Sequence, residues 1–218
     1  MNTMLNTLIQ FFQSGGPFMY PILAVLAIGI AITLERYFYL SASKITNRRM
    51  IAKLLPLLEK GEMNSAVKMA KGSSATVSTI LLQGADSFQA ARRRDDFEAA
   101  MEESIMEAIP RLEKRTHYLA MFANIATLLG LLGTIIGLIK AFTAVAQVDP
   151  SMKAEILSTS ISVAMNTTAF GLIVAIPLLL FYTVLQTKTT AIIDSLEMTV
   201  VKFVNHLSRV KNVSQQNG

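Results

Sequence analysis

The chain has 218 residues, 52% of them apolar and 16% charged, with a net charge of +5 and a mean hydropathy of +0.45. Soluble domains carry about 25% charged residues, so this is the composition of a membrane protein. Cysteine is absent, which excludes disulfides, thiolate metal sites and a cysteine nucleophile. His117 and His206 lack ligand spacing, so no metal or cofactor is expected.

Residues 1–16 read as a periplasmic interfacial segment, amphipathic through Leu5, Leu8, Ile9 and Phe12 and ended by Gly15-Gly16-Pro17. No Lys, Arg or small-residue cleavage pattern precedes the first apolar run, so a cleaved signal peptide is not expected. A first transmembrane helix follows over 17–40. The run Phe11 to Leu34, which enters it, is uncharged and exceeds the ~20 apolar residues that a spanning helix needs. Tyr20 lies near its outer end and Tyr37 and Tyr39 past its inner end, as interfacial aromatic belts do. Glu35-Arg36 closes the hydrocarbon stretch and is placed to pair internally.

Residues 41–117 read as a cytoplasmic helical region. Ile51, Leu54, Leu55 and Leu58 make one amphipathic piece that stops at Gly61. Ala66, Met69 and Ala70 make the next, before Gly72-Ser73-Ser74; Ile80, Leu81 and Ala85 make a third. Asp95-Asp96 caps a longer helix, with Glu98 in its first turn, where a carboxylate complements the helix dipole. Phe97, Met101, Ile105, Ala108 and Leu112 recur at helical steps and imply one buried face, with Pro110 as a kink. No breaker follows Leu112, so this helix is expected to run unbroken into the second span. The run Arg92-Arg93-Arg94 is followed at once by acids, which favours a solvated helix start over a phosphate-binding patch. No nucleic-acid role is expected.

The second transmembrane helix is placed at 118–147, a short periplasmic loop at 148–156 and the third transmembrane helix at 157–186. Residues 187–218 form a cytoplasmic amphipathic helix and tail. In that tail Ile193, Leu196, Val200, Phe203, Leu207 and Val210 step by 3 and 4, a heptad-like seam that has to bury itself against another helix. Between Ser41 and His117 there are 13 Lys/Arg, and 4 follow Thr187; the N-terminus has none and the loop between the second and third spans has only Lys153. The basic parts therefore belong in the cytoplasm and the N-terminus outside. The expected class is an all-α membrane protein with three transmembrane helices and an extended cytoplasmic helical bundle.

The second and third spans carry the chemistry. Gly130, Thr134, Gly137, Ala141 and Ala144 share one helix face, and Gly133 with Gly137 makes a GxxxG. On the third span Ala164, Thr168, Gly171 and Ala175 share another. Small residues let backbones approach closely where lipid supplies no hydrophobic drive, so these stripes should pack on each other or on other copies. Thr134 and Thr168 can each bond a preceding carbonyl of their own helix and serve only as small packing residues. Placed on glycine stripes, they equally suit a polar path. Asn166 suits an interhelical hydrogen bond or a lumen position, with Thr167 beside it. Lys140 lies near the outer end and can snorkel to the interface. Pro177 is placed to kink the third span. No Asp or Glu occurs in the three apolar runs. A self-sufficient proton relay needs an ionisable group in the membrane, so in an ion pathway the charge would come from a partner.

At these residues the chain resembles the MotA/TolQ/ExbB proton-channel family, and its three spans make it most similar to the ExbB/TolQ type. The matching motifs are Gly16-Pro17 leading to Leu34-Glu35-Arg36, then Gly130-Leu131-Leu132-Gly133-Thr134-Ile135-Ile136-Gly137, then Thr168-Ala169-Phe170-Gly171-Leu172 with Ala175-Ile176-Pro177. The resemblance implies a pentamer in the bacterial inner membrane around a pore holding single-span helices of an ExbD- or TolR-like partner. It also implies a TonB- or TolA-like protein as a further partner. A membrane aspartate of the ExbD/TolR-like subunit would carry the proton, faced by Thr134 and Thr168, and ion flow would rotate the two components. Two positions depart from the pattern: Thr127 stands where such sequences commonly have proline, and Val163 where ExbB proteins often have glutamate. The second leaves this subunit without that carboxylate and keeps sodium open beside protons.

Other functions fit less well. A solute transporter would need an inverted repeat or a substrate pocket near the midplane. A membrane scaffold recruiting partners through its helical bundle explains the seam of the tail but not the glycine–threonine stripes. A flagellar-stator-like channel shares the motifs. No nucleotide-binding loop or catalytic arrangement is present in the sequence, so no enzyme is expected.

Overall fold

The computed structural model describes residues 2–90 and 94–216, with side chains described for residues 6, 9–87, 96 and 98–205. Arg92, Arg93, the side chains of Arg94, Asp95 and Phe97, and those of His206, Leu207 and Val210 in the tail lie outside the described residues. Among the described residues, seven α-helices follow in chain order: α1 (Asn2–Ser14), α2 (Met19–Glu59), α3 (Met63–Lys71), α4 (Thr76–Ala90), α5 (Arg94–Glu113), α6 (Thr116–Val145) and α7 (Lys153–Gln216). Stretches of α2, α6 and α7 are long and apolar enough to cross a membrane. Only 22%, 22% and 28% of those apolar windows are buried within the chain, so their outer faces are left for lipid or neighbouring subunits.

The chain forms two compact units, residues 1–35 with 115–184 and residues 36–114 with 185–218. The first holds the apolar spans. Its turn from α1 into α2 rests on Gly16, whose φ of +76° is a left-handed conformation that glycine adopts without strain. Phe12 then meets Tyr20 edge-on at 5.3 Å, and Phe11 and Phe12 meet Phe170 of α7 at 6.4 and 5.8 Å. A β-carbon on Gly29 would stand 2.5 Å from Leu178, which marks a close contact of α2 with α7.

The second unit is a helical bundle with an apolar core that includes Leu40, Leu54, Ala66, Ala70, Ile80, Leu81, Met101, Leu112, Leu196 and Phe203. Gly61 ends α2 at φ +76°, with Gly61 N–H donating to the Leu58 carbonyl and Glu62 N–H to the Leu57 carbonyl, both at 2.9 Å. This is the Schellman closure that glycine favours. Two polar side chains complete other helix ends. Asn47, only 4% exposed, accepts from Val77 N–H in the first turn of α4 at 2.9 Å and donates to the Ser43 carbonyl at 3.0 Å. Arg36, 2% exposed, donates to the Leu112 carbonyl near the end of α5 and lies 4.7 Å over the Tyr39 ring.

Several expectations need correction. The helix containing Leu112 does not run unbroken into the second span: α5 ends at Glu113, and Arg115 takes a φ of +65° before α6 starts at Thr116. A left-handed residue cannot continue a right-handed helix, and the Leu112 carbonyl, which would have faced Thr116 N–H, receives Arg36 instead. Met69 is 37% exposed, because Ala66 and Ala70 alone form the buried edge of α3. In α7 the buried seam runs through Ile192, Leu196, Thr199, Val200 and Phe203, leaving Ile193 half-buried. A straight helix at 3.6 residues per turn drifts off a strict 3.5 repeat, which moves the seam by one residue. Apart from these corrections, Glu35 at the close of the first apolar run meets Arg115 at 3.5 Å, with both side chains about half exposed.

Because Asn47 holds a buried N–H of α4, Asn47→Leu should destabilise the folded chain by about 1–3 kcal/mol, the usual penalty for a buried donor left unsatisfied. Thermal unfolding of the purified protein reads this as a lowered midpoint; an unchanged midpoint would remove Asn47 from that role.

Candidate functional site

Helices α6 and α7 meet through their small residues. A β-carbon on Gly130 would stand 3.2 Å from the Thr168 Cα and 3.3 Å from the Gly171 Cα. One on Gly171 would stand 2.7 Å from the Ala126 carbonyl oxygen. These neighbours are backbone atoms, which cannot give way as a flexible side chain can. Further along the crossing, Gly133 faces Thr167 Cγ2 at 2.4 Å and Gly137 faces the Ala164 Cβ at 2.9 Å, measured in the same way. Ala126, Gly130, Gly133 and Ala141 of α6 are buried, as are Ala164, Thr167, Gly171 and Ala175 of α7. Gly137 and Ala144 are half-buried. The seam therefore passes through Gly133, and Thr134 stands half-buried at its edge.

The polar groups at this crossing divide into two kinds. The Thr134 hydroxyl donates to the Leu131 carbonyl of its own helix at 2.6 Å. The Thr168 hydroxyl donates instead to the Gly130 carbonyl across the interface, at 2.9 Å. In an α-helix that carbonyl also faces the Thr134 N–H four residues on, so one acceptor links the two threonines. Each hydroxyl keeps its oxygen lone pairs as acceptors. Thr127, in the proline position of the resemblance, donates to the Ala123 carbonyl at 3.1 Å.

The other two polar residues join α7 to the end of α1. Thr167, 2% exposed, has its hydroxyl 2.5 Å from the Gly15 carbonyl and 3.0 Å from the Val163 carbonyl, and its single proton serves one at a time. Asn166 donates its amide to the Ser14 hydroxyl at 3.1 Å. A β-carbon on Gly16 would stand 3.3 Å from Val163. The stretch Ser14-Gly15-Gly16, legible in the sequence only as a break, is thus where α1 attaches beside the α6–α7 crossing. A hydroxyl and two bare backbone positions opposite an intramembrane Asn-Thr pair were the available signal. Pro177, half-buried, stays inside α7, where its missing N–H leaves the Ile173 carbonyl without its intrahelical donor. Lys140 is exposed. Among the described residues, no three His, Asp or Glu side chains converge in an arrangement able to hold a metal.

Three long apolar helices with a glycine-lined crossing that carries two threonines define a multi-pass membrane protein built around helix–helix contact. Residues 72–198, well over half of the chain, match the sequence profile of the MotA/TolQ/ExbB proton channel family. The chain is 30% identical over 211 residues to a protein of Methanothermobacter thermautotrophicus described as an ExbB biopolymer transport homolog, covering 96% of this chain and 73% of that one. An ExbB-like biopolymer transport protein of Synechocystis is 26% identical over 175 residues, 80% of this chain and 82% of its own length. The Tol-Pal system protein TolQ of Haemophilus influenzae is 30% identical over 110 residues, half of this chain and 48% of its own. The chain belongs to the MotA/TolQ/ExbB proton channel family and is a multi-pass protein of the inner membrane.

The crossing yields a steric prediction. Gly171→Ala drives a methyl against the α6 backbone at Ala126 and Gly130 and should destabilise the detergent-purified protein by about 1–3 kcal/mol, as overpacking does, read as a clearly lowered thermal midpoint. Gly72→Ala, with its nearest contact at 3.8 Å, should be close to neutral. Equal behaviour of the two variants would contradict the close approach.

Proposed function

We propose that this chain is the ion-conducting subunit of an inner-membrane motor that couples an ion-motive force to work at the cell envelope, with a single-span ExbD- or TolR-like partner. Residues 1–16 and 148–156 lie outside, and residues 41–117 and 187–218 lie in the cytoplasm. The observation that carries the proposal is the shared Gly130 carbonyl, which ties the Thr168 hydroxyl to the Thr134 turn in a second and a third span, 118–147 and 157–186, that contain no carboxylate. Protons cross hydrocarbon by way of an ionisable group; here that group is an aspartate on the partner's helix. The names of the relatives, biopolymer transport and the Tol-Pal system, support envelope work as the output. A homopentamer around the partner helices follows from the family resemblance.

The threonines suit both protonation states of such an aspartate. An ionised carboxylate accepts, and a threonine hydroxyl can rotate off its carbonyl to donate to it. A protonated carboxyl donates, and the same hydroxyl oxygen accepts while its own O–H goes on donating to the backbone carbonyl. Interhelical hydrogen bonds in membranes average about 0.6 kcal/mol, so this exchange involves little energy. Asn166 and Thr167 border the path and hold α1 against α7. With Val163 in place of a glutamate, the subunit itself adds no second carboxylate, and proton or sodium coupling is decided by flux under each gradient.

Thr168→Val should abolish energised function in cells while the protein still inserts and assembles, and Thr168→Ser should retain most of it. A fully active valine variant would reduce Thr168 to packing and overturn the assignment. Orientation is testable on the same cysteine-free chain. A membrane-impermeant maleimide added from outside should label Ser151→Cys and leave Ser65→Cys unlabelled; the opposite pattern would invert the topology.

A further inference from the structure

We infer that the groove between α5 and α7 in the second unit docks a cationic amphipathic helix of a partner protein. The inference stands apart from the intramembrane site and would survive its failure. The groove encloses about 540 Å³. Ile105, Val200 and Val204, at 7%, 4% and 5% exposure, form its apolar floor, while Met106 and Val201, at 67% and 58%, stand open along its walls. Methionine is unbranched and adapts to irregular apolar partners.

The rim is acidic on both sides. Glu98 and Glu102 sit one turn apart on α5, and Glu197 sits opposite on α7. Three carboxylates around an apolar trough stand out on a chain whose net charge is +5. From Glu98 to Ile109 the α5 wall spans about 16 Å, or three helical turns at 1.5 Å per residue. An open trough of that length between two helices fits a helix laid into it, with apolar anchors at i, i+3, i+4 and i+7. Lysine or arginine flanking those anchors meets Glu102 and Glu197, and an acidic helix is rejected by the same charges.

The test uses the full-length assembled protein in lipid nanodiscs. The probe is a fluorescent helical peptide of roughly 14 residues with a leucine stripe at those spacings and flanking lysines. The expected result is saturable binding, weakened about tenfold or more in the Glu102→Lys/Glu197→Lys double variant. Glu59→Lys, outside the groove, should bind as the parent does, and a peptide with glutamates replacing the lysines should not bind. In the cysteine-free background, Val201→Cys should react readily with an aqueous maleimide and be protected by the peptide. Absent binding, or binding that ignores both groove charges, would overturn the inference. A Val201→Cys thiol already shielded in the assembled protein without peptide would assign the groove to a second copy of the chain and overturn it equally.

Discussion

The contact between Gly130 and Gly171 is the constraint on which the membrane part of this protein depends. Where lipid is as apolar as the side chains, helices associate through close packing and hydrogen bonds. Both are present at one point: backbones too close to admit a β-carbon, and a Thr168 hydroxyl reaching the Gly130 carbonyl across the gap. The same proximity lets Gly133 accept the Thr167 methyl, and Thr167 in turn meets the Gly15 carbonyl. The end of α1, the crossing and the polar groups are therefore one connected arrangement.

In the second unit the problem is different, because helices there end inside a packed bundle. Each end presents backbone groups that a helix cannot satisfy itself. Gly61 solves this locally by closing a Schellman turn, whereas Asn47 and Arg36 solve it from a distance, at the start of α4 and near the end of α5. Arg36 is well suited to its place, since a cation near a helix C-terminus also complements the helix dipole. Its burial follows from that task.

Much of this was legible in the sequence because it is periodic. The three apolar runs, the small-residue faces and the core positions Met101, Ile105, Ala108 and Leu112 all follow from helical spacing, and the structure buries those four. Gly61 was readable as a stop because glycine has a specific backbone use. What was not legible depends on long-range contact or on a conformation that no residue type announces. Arginine is a good helix former, so nothing at Arg115 signals a positive φ. Asn47 looks like any polar residue on a helix until Val77, 30 positions on, is brought against it. The two intramembrane threonines looked equivalent. The structure separates them, since Thr134 bonds within its own helix and Thr168 across to the next. That difference turns on register, which steps of three and four leave undecided between neighbouring residues.

A hydroxyl on an exchangeable bond, where the second and third spans lack any carboxylate, fits a subunit that passes a charge supplied by another protein. The most direct measurement is ion flux in vesicles containing this protein with a single-span partner, under imposed proton and sodium gradients, with and without the partner's membrane aspartate. The proposed function predicts flux that requires both proteins and that aspartate, and the gradient that drives it names the ion. A stable assembly of the two proteins that passes neither ion, or flux by this chain alone, would contradict it.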